Sequence, residues 1–167
     1  MIARHAFPIL ALLLSAVVAI PASAQVAIGF GGIAYDSSQP VEVTSESLTI
    51  DQTTGEAVFT GNVIVHQGDL RMAASQVRVF YSEAEGRRAV DEVLATGGVL
   101  VTRGADAAEG QEARFDVAAS LLTMSGSVLV TQGPTAVAGD RMVVNMRTGN
   151  GSVEGRVRTV LDTSGDE

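Results

Sequence analysis

The heptapeptide Phe59-Thr-Gly-Asn-Val-Ile-Val65 decides how this chain folds, because it returns three times. The copies are Ala95-Thr-Gly-Gly-Val-Leu-Val101, Met124-Ser-Gly-Ser-Val-Leu-Val130 and Val153-Glu-Gly-Arg-Val-Arg-Thr159. Their glycines, Gly61, Gly97, Gly126 and Gly155, lie 36, 29 and 29 residues apart. A second series, Leu48, Val77, Ala113 and Met142, is spaced 29, 36 and 29. The unit is therefore 29 residues, with seven more in the copy that contains residues 82–88. A fixed period of this length marks a stack in which each repeat buries its apolar face against its neighbours. Glycine at one place in every copy predicts a bend or a close backbone approach there.

Around these blocks, apolar and polar residues alternate with period two, as half-buried strands require. Val41 and Val43 share a face, as do Leu48 and Ile50; Phe59, Gly61, Val63 and Val65; Val77, Val79 and Tyr81; Ala113, Phe115 and Val117; and Met142, Val144 and Met146. Turns are expected at 52–55, 67–69, 104–107, 132–134 and 148–151. Beyond Gln25 no stretch carries a sustained helical spacing; residues 82–92 come nearest, and Gly86 interrupts them. The fold class is all-β. Its inward face is Val, Leu, Ile and Phe, with Met72, Met124, Met142 and Met146 as adaptable fillers. Pattern alone leaves two interiors open: an ordinary filled sandwich core, or a roll that takes up acyl chains.

Composition narrows the function. The chain has 167 residues, enough for one domain; 46% are apolar and 18% charged, which excludes a disordered chain. Cysteine is absent, which removes disulfides, thiolate zinc sites and thiol chemistry. All eleven basic residues are arginine, against nineteen acids, and the net charge of −8 disfavours nucleic acid as a partner. Tryptophan is missing and aromatics total 4%, too few for stacking platforms.

The N-terminus reads as an address. Arg4 and His5 precede an apolar run from Phe7 to Ile20, Pro21 ends it, and Ala22-Ser23-Ala24 supplies small residues before Gln25. This is the layout of a cleaved secretory signal peptide over residues 1–24, cut between Ala24 and Gln25. The run is shorter than the about 20 residues of a spanning helix. Residues 25–39 are expected to form a flexible leader. Its Gly29, Gly31 and Gly32 imitate a dinucleotide fingerprint but lack the strand, helix and distal acid which that motif needs. The domain proper is placed at 40–161, with a tail at 162–167.

No catalytic or metal constellation emerges. After cleavage His66 is the remaining histidine, on the polar face of a strand near Asp69, where a solvated role is the simpler reading. Asp91 and Glu92 are adjacent and so point to opposite faces. Asp162-Thr-Ser-Gly165 has one residue too many for an aspartic-protease triplet, and Asn150-Gly151 is a turn dipeptide before it is a glycosylation acceptor. Arg87 and Arg88 fall in the inserted loop. The chain is expected to be a binding or structural protein, without cofactor or metal, and not an enzyme.

The segments Gln39-Pro-Val-Glu-Val43, Ser47-Leu-Thr-Ile-Asp51 and Phe59-Thr-Gly-Asn-Val-Ile-Val-His-Gln-Gly68 resemble the LptA, or OstA-like, family of periplasmic lipopolysaccharide-transport proteins. So do Leu122-Thr-Met-Ser-Gly-Ser-Val-Leu-Val130, Ala138-Gly-Asp-Arg-Met-Val-Val144 and Gly155-Arg-Val-Arg-Thr-Val-Leu161. The likeness runs from about Pro40 to Leu161. It implies a twisted β-jelly-roll of about sixteen short antiparallel strands, open at both ends. It also implies a bridge that carries lipopolysaccharide through the periplasm to the outer membrane of a Gram-negative envelope. Acyl chains would lie in an apolar groove of Val41, Val43, Leu48, Ile50, Phe59, Val63, Val65, Val77, Val79, Phe115, Val128, Val130, Met142 and Val144. Partners implied are an anchored inner-membrane component of the same fold (LptC-like), the N-terminal domain of the outer-membrane translocon (LptD-like), and further copies head-to-tail. The assembly edges would be Val41, Glu42 and Val43 at one end and Arg156, Val157, Arg158 and Thr159 at the other. The lysine-rich tail of some members is missing. Two alternatives stay open: a secreted structural β-solenoid without lipid, and the anchored member of the same system.

Overall fold

The computed structural model describes residues 26–29, 39–84 and 87–161. Eleven strands form one antiparallel sheet: β1 (Val26–Gly29), β2 (Val41–Thr44), β3 (Ser47–Asp51), β4 (Glu56–Gln67), β5 (Leu70–Ala84), β6 (Arg87–Arg103), β7 (Asp106–Asp116), β8 (Leu121–Gln132), β9 (Thr135–Asn145), β10 (Asn150–Glu154) and β11 (Arg158–Leu161). From β4 to β9 each strand pairs antiparallel with the next; β2 and β3 both pair with β4, and β10 and β11 both pair with β9. The stack therefore has eight rungs, the first made of β2 and β3 and the last of β10 and β11.

Every second rung is kinked at its middle, and the repeated glycines are the reason: they stand in β4, β6 and β8 and between β10 and β11. Gly61, Gly97, Gly126 and Gly155 have φ near +80°, and the residue after each (Asn62, Gly98, Ser127, Arg156) is also left-handed. An L side chain resists that region. Each ladder slips where it passes the kink, between Thr60 and Val63 in β4, between Thr96 and Val99 in β6, and between Ser125 and Val128 in β8. At each slip two residues stand opposite one of the partner strand, and the one extra residue turns the strand, as bulges do. The preceding strand fills the space left by the missing Cβ: a Cβ on Gly97 would stand 2.6 Å from that of Ser75, and one on Gly126 2.6 Å from that of Gln111. At the first and last kinks the residue after glycine reaches back to an acid, Asn62 to Glu46 and Arg156 to Asp140.

Bending folds the sheet upon itself, so the inward rows of its two halves share one core. Where about sixteen short strands were expected the sheet has eleven, since β4 to β9 run unbroken through the middle of their rungs. The expected turns at 52–55, 67–69, 104–107 and 132–134 are present, the one expected at 148–151 falls at 146–149 because Asn150 and Gly151 belong to β10, and a further reversal at 117–120 was not marked by alternation. The seven-residue insertion lengthens the β5–β6 hairpin, where Glu83 pairs with Arg88 and the Arg88 guanidinium lies 4.9 Å from the Tyr81 ring centre.

Two expectations about the termini need correction. Within the segment expected to be a flexible leader, Val26–Gly29 forms β1, and it pairs with β10 at the far end of the sheet. The C-terminal edge is also not one run through Arg156 and Val157: those residues form the last kink, Val157 packs on the core, and the edge strand begins at Arg158. The expected signal peptide, residues 25 and 30–38 of the expected leader, and the expected tail at 162–167 lie outside the described residues.

Candidate functional site

Cross-strand register resolves the interior into long rows. One runs Leu48–Phe59–Val77–Ala95–Ala113–Met124–Met142–Val153. A second runs Ile50–Ala57–Val79–Val93–Phe115–Leu122–Val144–Gly151. In the other half-sheet Val43–Val65–Met72–Val101–Ala108–Val130–Val137–Thr159 faces them. All fourteen residues expected to line a groove stand on this inward side. Val63 and Val128 sit two places beyond their kink glycines, and Val41 lies at the outer end of the first rung.

The rows are not uniformly enclosed. Met124, Met142, Val128, Val130, Val144 and Val153 are fully buried, whereas Phe59, Val65, Met72 and Val79 are half-buried. At the first rung Val41, Leu48 and Ile50 are 57%, 49% and 59% exposed. Val63 and Val77 on the second and third rungs are as fully buried as the C-terminal residues, so the opening lies at the first rung, where exposed aliphatic groups form a mouth instead of an enclosed wall.

Between the half-sheets, Leu70, Val101 and Ala108 approach Leu122, Met142, Val144 and Met146 around a cavity of about 30 Å³. That is room for a water, whereas sites for drug-sized ligands measure about 300–1,000 Å³. A cargo chain can enter only if the half-sheets separate. Arg103 and Asp106 border the cavity. The Arg103 Nε donates to Asp69 Oδ2 at 2.8 Å, and its Nη1 is buried without a hydrogen-bond partner. Arg103 holds the Asp69 carboxyl below its ordinary range by that hydrogen bond and by its charge. Arg156 does the same for Asp140, while the Thr54 and Thr53 amides lower Asp51. A more open groove of about 500 Å³ crosses the kink line and includes the outward-row residues Ile64, Ala73, Leu100 and Glu109.

Sequence reading missed much of the interior: Val93, Val99, Val101, Leu122, Val137 and Val153 belong to it as fully as the residues it named. A signal was present. Val99 and Val101 follow Gly97 at the spacing by which Val63 and Val65 follow Gly61. Arg103 carried no such signal, because alternation cannot tell a half-buried guanidinium from a solvated one. His66 lies exposed on an outward row opposite Glu42 and Arg71. Among the described residues no three His, Asp or Glu side chains converge.

The model of the LptA/LptD N-terminal-domain lipopolysaccharide-transport family matches residues 42–150. The chain belongs to that family. A curated relative, an uncharacterised protein of Rhizobium meliloti (strain 1021), is 29% identical over 140 residues, covering 78% of this chain and 75% of its own. Among solved structures the chain is similar to LptH from Pseudomonas aeruginosa, described as the LptA-homologous periplasmic component of the lipopolysaccharide transport device. The TM-score is 0.67 at 18% identity, over 76% of this chain and 98% of LptH. That likeness establishes the LptA-type fold; the family match establishes the membership.

Proposed function

We propose that this chain is a periplasmic carrier that bridges lipopolysaccharide from inner to outer membrane, holding acyl chains between its half-sheets and breaking no bond. The observation that supports this most is the set of apolar rows that run from an open mouth to β9 and, in one row, on to Val153 of the last rung. Each methylene taken from water contributes about 0.8 kcal/mol, so a few acyl chains suffice to offset prying apart a packed interior. Export by residues 1–24 with cleavage before Gln25, a domain at 40–161 to whose sheet β1 adds a strand, and a tail at 162–167 complete the reading. The partners we propose are an LptC-like anchored protein at one end, an LptD-like N-terminal domain at the other, and further copies between, joined by strand addition at exposed edges.

One observation favours a rival. The interior is filled, as in a structural β-solenoid that assembles without cargo. Lipid extraction and mass spectrometry of the protein purified from an envelope separate the two. Co-purifying lipopolysaccharide at near one per chain supports the carrier; a lipid-free protein that still forms long assemblies supports the solenoid.

A further inference from the structure

The strand β1 occupies half of the edge that strand addition would need. It pairs antiparallel with β10, Val26 opposite Val153, Ala27 opposite Ser152 and Ile28 opposite Gly151. Val153 belongs to the row that begins at Leu48, and Gly151 to the row that begins at Ile50. A second copy continuing the stack would lay its β3 against β10, Leu48 beside Val153 and Ile50 beside Gly151. Val26-Ala-Ile28 thus stands in the register positions that Leu48-Thr-Ile50 of an incoming copy would take, in the same direction and with the same apolar–small–apolar pattern. The other half of the edge is different. β11 pairs with β9, no described strand lies on its far side, and its Val160 is 60% exposed.

We propose that β1 is an internal cap which imitates β3 of the next subunit, and that assembly proceeds by strand displacement from the uncovered β11. The incoming β2 pairs first with β11, bringing Val43 into the row that ends at Thr159; its β3 then replaces β1 along β10. This rests on the proposed head-to-tail assembly. A covalently linked competitor keeps its advantage on dilution, whereas a second copy does not. The cap therefore holds the carrier monomeric when dilute and leaves one half-edge for a true partner.

The chain has no cysteine, so Ala27→Cys with Ser152→Cys gives a clean lock. Cross-strand Cα atoms stand about 4.5–5.5 Å apart, within disulfide reach. Protein beginning at Gln25 is compared, oxidised and reduced, with protein beginning at Gln39, by sedimentation over a concentration series. The expected result is an intramolecular disulfide, an oxidised form that stays monomeric, a reduced form that associates like the parent, and a dissociation constant at least about tenfold tighter for the chain lacking β1. Unchanged association in the oxidised or shortened protein overturns the cap and leaves head-to-tail assembly standing. Disulfide-linked ladders overturn it too, since β1 would then be the joint. If the shortened chain stays monomeric at every concentration, the assembly reading fails and the competition with it.

Discussion

Met142→Ala tests whether the closed end of the interior is cargo space or only packing. Met142 is 1% exposed, stands between Met124 and Val153 in its row, and lines the 30 Å³ cavity. Truncation removes three heavy atoms beside an existing void, which costs about 2–5 kcal/mol with little prospect of collapse between two hydrogen-bonded half-sheets. For a domain of this size, each kcal/mol shifts Tm by roughly 3–5 °C, so about 3 kcal/mol lowers Tm by about 10–15 °C. The enlarged cavity should accept an acyl chain more readily than the parent. At a lipid concentration 100 times Kd, bound lipid returns about 2.7 kcal/mol, most of the loss. Calorimetry with and without lipid A reads both quantities; Leu129→Ala, on an outward row and 38% exposed, is the control. A Tm loss under about 2 °C, or equal lipid shifts in variant, control and parent, refutes the reasoning.

Three further expectations follow from the same geometry. Gly126→Ala places a left-handed Cβ against Gln111 and should destabilise more than Gly98→Ala. The latter shares φ +83° but has open space around it, so it loses only about 1–2 kcal/mol; urea midpoints that rank the pair in reverse contradict the kink argument. Asp51, Asp69 and Asp140 all titrate below the ordinary aspartate value of 3.8 when folded. Their contribution is therefore complete above that value and lost as pH falls through the lowered folded values. Tm should be flat from neutral to mildly acid pH and decline below, less steeply in Asp69→Asn, and a decline centred at pH 6 would point elsewhere. Intact-mass measurement of exported protein should give a chain starting at Gln25; a retained N-terminus in the membrane fraction would favour the anchored family member.

The repeat made the fold legible. A 29-residue period with glycine at one place is enough to derive stacked, bent strands, since only a residue without Cβ tolerates both the positive φ and the neighbour's side chain at 2.6 Å. The interior was legible in type and partly in extent, because period-two alternation assigns a face within an unbroken strand. It also holds across each kink, because Ala95, Val99 and Val101 keep one parity and all belong to the interior, so Val99 and Val101 were legible by analogy with Val63 and Val65. β1 could not be read at all. Val-Ala-Ile-Gly is too short to show a period, and its partner, Val153, lies over a hundred residues away; only tertiary register reveals it. Arg103 failed for another reason, as the partial burial of its guanidinium depends on a hairpin end whose place in the roll no local pattern encodes.

The most direct test of the carrier reading replaces single phenylalanines with a photoreactive analogue of similar shape. Phe115 belongs to an inward row, whereas Phe80 lies outward, with the Arg78 guanidinium 5.7 Å from its ring centre; Leu100 gives a third position, on the open groove. With lipopolysaccharide supplied and light applied, the account predicts cross-links to lipopolysaccharide from position 115 and background levels from 80 and 100. Cross-linking from position 100 or 80 with none from 115 would place the cargo outside the roll and contradict the account.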